Sequence, residues 1–171
     1  MSDRAPANAR FRDELRACLH VERWVDHVAD AAPYGSLDDL LVAAAGAATP
    51  LTPDEIDEAL AAHPRIGERP TGASAAARFS RAEQSAADAD DADLAAAIAA
   101  GNRAYEERFG RIFLIRAAGR SRSDILAELT RRLALDDASE LVVVSEQLRE
   151  IALLRLEQLY ADDAGPIGEA S

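Results

Sequence analysis

Four segments of the chain carry side chains suited to proton transfer or to binding a polar ligand. The first contains His63, which ends a predicted helix and begins the sequence His-Pro-Arg-Ile-Gly-Glu. An imidazole titrates near neutral pH, so His63 is a candidate proton donor or acceptor. A structural explanation is also open, because histidine is favoured near a helix C-terminus and proline often follows one. His20 and His27 are weaker candidates, since both lie in the first pair of predicted helices, away from loops.

The second segment holds Glu83 and Gln84. Ser80 and Glu83 have the spacing of a capping box, in which the two residues satisfy each other's backbone N–H groups at the start of a helix. Gln84 has no such structural role. A carboxylate and an amide beside unpaired backbone N–H donors can also orient a polar heterocycle. The residues alone leave both explanations open.

The other two segments place a polar residue within an apolar helical pattern. Asn102, Tyr105 and Phe109 share one helical face because they are three and four residues apart. An amphipathic helix explains the two aromatic residues but not the asparagine. Arg155 lies within Ile-Ala-Leu-Leu-Arg-Leu. Its guanidinium either extends to solvent along its apolar stem or anchors an anion in a pocket.

Composition excludes several classes of protein. The 171 residues carry a formal net charge of -12, which disfavours binding to nucleic acid or to an anionic membrane surface. No apolar run approaches the ~20 residues of a membrane span, and the N-terminus lacks an apolar signal core, so we expect a cytoplasmic protein. All 19 basic residues are arginine, which excludes Schiff-base chemistry on lysine. A single cysteine, Cys18, and three dispersed histidines predict no disulfide, no metal and no cofactor.

Alanine-rich segments with helical periodicity predict an all-α fold, and β-branched runs are scarce. We expect one domain over residues 1–171, a single compact bundle of about eight helices with a loose tail from about residue 162. The longest irregular stretch, residues 64–79, has the length of a functional loop. The predicted helices are two within 7–30 that are broken near 19–22, then 37–47, 53 to about 62, one that opens at 80–83, 92–109, 122–134 and 138–160.

Taken in order, these segments resemble the decarboxylases of 2-oxo-4-hydroxy-4-carboxy-5-ureidoimidazoline (OHCU), a family of urate degradation. The resemblance covers roughly residues 10–160, and the His-Pro-x-Ile-Gly and Asn-x-x-Tyr-x-x-x-Phe-Gly pieces are specific in combination. Two positions depart from the family pattern: Ser85-Ala86 replaces Ala-Gly, and Arg116 replaces a small residue or cysteine. The matching residues are Cys18 with Arg23-Trp24, Pro33-Tyr34 with Ser36-Leu37, the 63–68 loop, Ser80 with Glu83-Gln84, the 101–110 segment, Phe113-Leu114-Ile115, and Ile151 with Arg155-Leu156.

The resemblance implies an all-α, cofactor-free enzyme, commonly dimeric, that converts OHCU to (S)-allantoin and carbon dioxide. His63 is then the catalytic proton donor and Glu83 its catalytic partner. The backbone of about Phe113–Ala117 holds the substrate ring, and Arg155 contacts the ring oxygens. The implied partners are a small-molecule substrate and a second copy of the chain, with no metal. The implied substrate-binding residues are Pro64, Ser80, Arg81, Ala82, Gln84, Phe113, Leu114, Ile115, Arg116, Ala117 and Arg155.

Two other functions stay open at this point. A helical interaction module that has lost catalysis would be expected to lack at least one of His63, Glu83 and Gln84, and all three are present. A lyase or hydrolase that acts on another ureido heterocycle is the second alternative. The departures at Ser85 and Arg116 are what favour it.

Overall fold

A computed structural model describes residues 9–66, 78–79, 92–163 and 165–169 of the chain. Seven α-helices lie in these ranges, which confirms the prediction of an all-α fold. Within them the one β-type pairing is an isolated antiparallel bridge between Tyr34 and Ile167. The helices are α1 (Ala9–Cys18), α2 (Glu22–Asp30), α3 (Leu37–Ala47), α4 (Pro53–Leu60), α5 (Ala92–Phe109), α6 (Arg122–Leu133) and α7 (Asp137–Tyr160).

Short-range capping explains where several helices begin. The Ser36 hydroxyl accepts a hydrogen bond from the Asp39 N–H at the start of α3, at 3.2 Å. Ser121 and Asp124 form a reciprocal capping box at the start of α6, with bonds of 3.0 and 3.1 Å. These caps satisfy backbone donors that a helix itself leaves unpaired. The predicted starts of both helices are therefore confirmed, and the helix predicted to open at 80–83 lies outside the described residues.

The chain divides into two compact units, one of residues 1–59 and 149–171 and the other of residues 60–148. The first unit has Trp24 at its core, fully buried, with its indole N–H donating to the Ala44 carbonyl at 2.9 Å. In the second unit, α5 and α6 approach closely at Gly101, where an added Cβ would lie 2.5 Å from Leu129 Cδ2. The prediction of a single domain over 1–171 stays a prediction.

The C-terminal residues 165–169 differ from the expected loose tail. Ile167 is 3% exposed and exchanges two backbone hydrogen bonds with Tyr34, both of 2.9 Å. Gly168 follows with φ +81°, and an added Cβ there would lie 2.8 Å from the Phe11 ring. The glycine, proline and polar residues of this segment favour a loose tail. The backbone bridge to Tyr34, which is far away in the sequence, instead fixes Ile167, and Gly168 adopts the left-handed backbone conformation that glycine tolerates.

None of the helices in the described ranges combines the length and the apolar character that a bilayer crossing requires.

Candidate active site

His63 begins a loop whose next residues are fixed to α5. Its side chain is half-buried, and its backbone N–H donates to the Leu60 carbonyl at 3.0 Å, closing the turn after α4. Two residues on, Arg65 forms a two-pronged ion pair with Glu106, one contact measuring 2.9 Å. The Asn102 amide donates to the Ile66 carbonyl at 2.9 Å. Since Asn102 and Glu106 are one turn apart on α5, a single helix face holds the chain just beyond His63 and Pro64.

These contacts explain the asparagine that an amphipathic pattern did not account for. Asn102, Tyr105 and Phe109 are all buried on one face of α5, as their spacing predicted. The Oδ1 atom of Asn102 is buried and has no hydrogen-bond partner within the described ranges. The Arg65 guanidinium also holds the pKa of the Glu106 carboxyl below its usual range.

The segment Phe113–Ala117 follows α5 and is held by side chains from α6 and α7. Arg132 Nη1 donates to the Leu114 carbonyl at 2.7 Å, and the Arg116 N–H donates to Gln147 Oε1 at 2.9 Å. The Phe113, Leu114, Ile115 and Ala117 side chains are buried, whereas Arg116 is half-buried. The segment proposed to hold the substrate ring is therefore fixed at two backbone groups by the protein itself.

A fully buried ion pair contacts the 113–117 segment through the Leu114 carbonyl. Arg132 and Glu140 are both 0% exposed, and Arg132 Nε donates to Glu140 Oε1 at 2.9 Å. The Tyr105 hydroxyl donates to the same carboxylate, and the Arg132 guanidinium lies 4.6 Å from the centroid of the Phe113 ring. Burial raises the pKa of the Tyr105 hydroxyl, and its hydrogen bond to the Glu140 carboxylate raises it further. Tyr105 thus stays a neutral donor.

The sequence analysis missed Arg132 and Glu140. A basic residue in the last turn of one helix and an acidic residue in the first turn of the next are what the helix dipoles favour at a surface. A signal was present, however, because Ile125, Leu129 and Arg132 are spaced four and three residues apart. That spacing places Arg132 on the buried face of α6.

Arg155 lies in the first unit and is 2% exposed, so its side chain does not extend to solvent. Its Nη1 donates to the Ala17 carbonyl at 3.1 Å and, more weakly, to the Cys18 carbonyl at 3.5 Å. These are terminal carbonyls of α1, which lack partners within their own helix. Arg155 therefore caps the end of α1, and its predicted contact with substrate stays a prediction.

The remaining predicted site residues are not all described. The two weaker histidine candidates, His20 and His27, are exposed. Within the described ranges, no cluster of three or more histidine, cysteine, aspartate or glutamate side chains is placed to hold a metal ion. The residues that lie outside the described ranges are Ser80, Arg81, Ala82, Glu83 and Gln84.

An all-helical fold, a histidine loop fixed to one helix and an apolar segment fixed at its backbone are what a small helical enzyme of the implied kind would have. The family model described as OHCU decarboxylase matches residues 4–157. The chain belongs to the OHCU decarboxylase family.

Two curated relatives are similar over most of this chain. It is 27% identical over 156 residues to the 2-oxo-4-hydroxy-4-carboxy-5-ureidoimidazoline decarboxylase of Haloferax volcanii, covering 90% of each chain. It is 30% identical over 160 residues to the uric acid degradation bifunctional protein TTL of Arabidopsis thaliana. That match covers 92% of this chain but 49% of the plant protein, so the chain spans about half the length of this relative.

Solved structures show the same fold. A crystal structure of OHCU decarboxylase in the presence of (S)-allantoin matches with a TM-score of 0.75 and 26% identity, covering 88% of this chain and 99% of that one. A crystal structure of (S)-allantoin synthase matches with a TM-score of 0.65, covering 90% of this chain and 50% of that one. At 21% identity, the second match bears on the fold alone.

Proposed function

We propose that this chain catalyses the cofactor-free decarboxylation of OHCU to (S)-allantoin and carbon dioxide in urate breakdown. Its membership of the family over residues 4–157 supports this reaction. The structural observation that carries the proposal is the attachment of the His63 loop to α5 through Asn102 and Glu106. A proton donor must be held in a fixed position relative to its substrate, and the attachment of the two residues after Pro64 to α5 supports this role for His63.

The substrate's own structure makes a cofactor unnecessary. OHCU carries its carboxylate on ring carbon 4, which also bears a hydroxyl and is bonded to carbon 5 of a C=N group. When the bond to the carboxylate breaks, carbon dioxide leaves and the electron pair moves into the conjugated ring. The nitrogen of the C=N group takes up a proton, the hydroxyl on carbon 4 loses its proton to become a ring carbonyl, and a proton is added to carbon 5, which bears the ureido group. One proton is taken up in total, and no separate electron sink is required. Addition from one face alone gives a single enantiomer of allantoin.

In this proposal His63 supplies the proton that is added to carbon 5. Glu83 accepts a hydrogen bond from the imidazole, which fixes its orientation and raises the pKa of His63 towards the working pH. Gln84 and Ser80 bind polar atoms of the ring, with Pro64, Arg81 and Ala82 beside them. Arg155 contacts substrate oxygens.

The backbone of Phe113–Ala117 is proposed to hold the ring. Arg132 and Gln147 already bind the Leu114 carbonyl and the Arg116 N–H. Backbone groups that are already paired within the protein are not free to bind a ligand. The ring is therefore proposed to meet backbone groups of the 113–117 segment other than the Leu114 carbonyl and the Arg116 N–H.

The test compares substrates. OHCU generated in situ from urate is supplied to the purified chain, and its consumption is followed beside the spontaneous reaction and beside other ureido heterocycles. We expect kcat/KM to be highest for OHCU and carbon dioxide to be released in equal amount. Faster turnover of another heterocycle would favour the alternative lyase or hydrolase, and no acceleration of any would favour the interaction module.

A homodimer is also proposed, supported by the resemblance to a commonly dimeric family. Sedimentation should then give about twice the chain mass of 18.3 kDa. A species of one chain mass at all concentrations tested would contradict it. The cytoplasmic location stays a prediction.

A further inference from the structure

The Arg132–Glu140 ion pair demands an explanation beyond stability. Both side chains are 0% exposed. Removing two charges from water is costly, and apolar residues of similar volume often stabilise a core as well or better. A buried pair is therefore weak evidence for stabilisation. What the pair holds is the better guide to why this core contains it.

The geometry directs the guanidinium towards two targets. Its Nε and Nη2 atoms donate to Glu140, while Nη1 donates to the Leu114 carbonyl at 2.7 Å. Tyr105 adds a further hydrogen bond to Glu140. Residues of α5, α6 and α7 thus form one hydrogen-bonded network, and Arg132 connects that network to the Leu114 carbonyl of the 113–117 segment. A planar, rigid guanidinium can satisfy a carboxylate and a carbonyl at once, and a lysine ammonium does not reproduce that fork.

We propose that Arg132, oriented by Glu140, is a positioning residue for the decarboxylation, because it fixes which backbone groups of the 113–117 segment face the substrate ring. This inference rests on the proposed function. With the Leu114 carbonyl held by Arg132, rotation of the segment about its own axis would break a charge-assisted hydrogen bond inside the core. The segment therefore offers the same backbone groups to every substrate ring that binds. A ring bound to those groups exposes the same face to the proton donor each time.

Two variants test this in the intact chain. Arg132→Met combined with Glu140→Leu removes both charges together, so that no unpaired charge is left buried. We expect a folded protein whose KM for OHCU rises about tenfold to a hundredfold, since misplacing a group that positions the substrate has effects of up to about 100-fold. The enantiomeric excess of allantoin, extrapolated to saturating enzyme, should fall. Tyr105→Phe, which removes one hydroxyl, should fold and raise KM about two- to fivefold.

Ile98→Ala is the matched control. Ile98 is buried in the same core cluster, about 10 Å along α5 from Tyr105, and its truncation lowers stability without touching the ion pair. We expect a lower Tm with unchanged KM and unchanged enantiomeric excess. A matching rise of KM in Ile98→Ala would make the pair merely structural. The pair would also be merely structural if the Arg132→Met/Glu140→Leu variant, called the charge-free variant below, and the Tyr105→Phe variant both fold and keep a KM within twofold of wild type.

Hydrogen exchange separates this inference from the proposed function, because it needs no substrate. Amides of residues 113–117 should exchange faster in the charge-free variant, or in Tyr105→Phe if the charge-free variant does not fold, than in Ile98→Ala at matched stability. Equal exchange would overturn the positioning role, whatever the activity. If wild type shows no excess of one allantoin enantiomer while exchange differs as expected, the proposed function fails and the positioning of the segment stands.

Discussion

His63 is the side chain whose replacement isolates the proton transfer. It is half-buried in a loop that Asn102 fixes to α5 through the Ile66 carbonyl. His63→Asn should keep its helical circular dichroism and lose at least about 100-fold in kcat, the usual contribution of a general acid. His27→Asn, at an exposed position of α2, is the control. A folded His63→Asn enzyme with wild-type kcat and product hand would exclude the proton-donor role.

Glu83→Gln distinguishes a helix cap from a catalytic partner. Glutamine still serves the capping box, so the Tm should change by only a few degrees. It carries no charge, so the pKa of His63 should fall, and kcat should decline at a lower pH than in wild type. Steady-state kinetics from pH 5 to 9 would show both effects. An unchanged kcat and pH profile would leave Glu83 as a cap.

Arg155 combines a structural and a proposed binding role. Its contact with the Ala17 carbonyl predicts that Arg155→Lys lowers the Tm by a few degrees through the loss of a helix-end contact. If it also grips the substrate, KM should rise about tenfold to a hundredfold, since such a contact contributes ~1.5–3 kcal/mol. Kinetics and thermal unfolding on one preparation separate the two roles. A KM within twofold of wild type, with a lowered Tm, would confine Arg155 to capping α1.

At the scale of elements, α5 connects the histidine loop to the rest of the second unit. The ion pair of Arg65 with Glu106 is partly exposed, with side-chain exposures of 47% and 28%, so it stabilises by about 0–1 kcal/mol. Because Arg65 lowers the pKa of Glu106, that stabilisation is present above the carboxyl's unfolded value, about 4.3, and is lost as the pH falls through the folded value.

A pH series of urea unfolding tests this ion pair. Glu106→Gln should be less stable than wild type at pH 7 by under about 1 kcal/mol, and the difference should vanish near pH 3. Glu107→Gln, at the exposed neighbouring position, is the control. A difference that persists undiminished at pH 3 would mean that Glu106 acts through packing and not through its charge.

The helices were predictable where their signals are local. Ser36 and Ser121 cap their helices through residues three positions away, so the pattern is complete within one turn of sequence. The burial of Ile167 depends on Tyr34 at the other end of the chain, and the contact of Arg155 with Ala17 joins residues 138 positions apart. Such partners are decided by packing, and no local pattern encodes them.

The site shows the same division. The residues that carry the family resemblance were found by their types and order, and Asn102 was recognised as unusual on an apolar face. Its partner, the Ile66 carbonyl, required the structure. Arg132 and Glu140 were missed because each charge is already explained by its place near the end of its own helix, where the helix dipole favours it. The sequence pattern does not show that the two side chains pair with each other across two helices.

At the scale of the whole molecule, the account predicts an enzyme that makes one enantiomer. The most direct measurement is the circular dichroism of allantoin formed from OHCU that is generated in situ from urate, with and without the wild-type chain. The account predicts that allantoin forms faster with the enzyme and carries the signal of the S enantiomer, while the uncatalysed reaction gives a racemate. A racemic product at the spontaneous rate, from a chain shown to be helical, would contradict it.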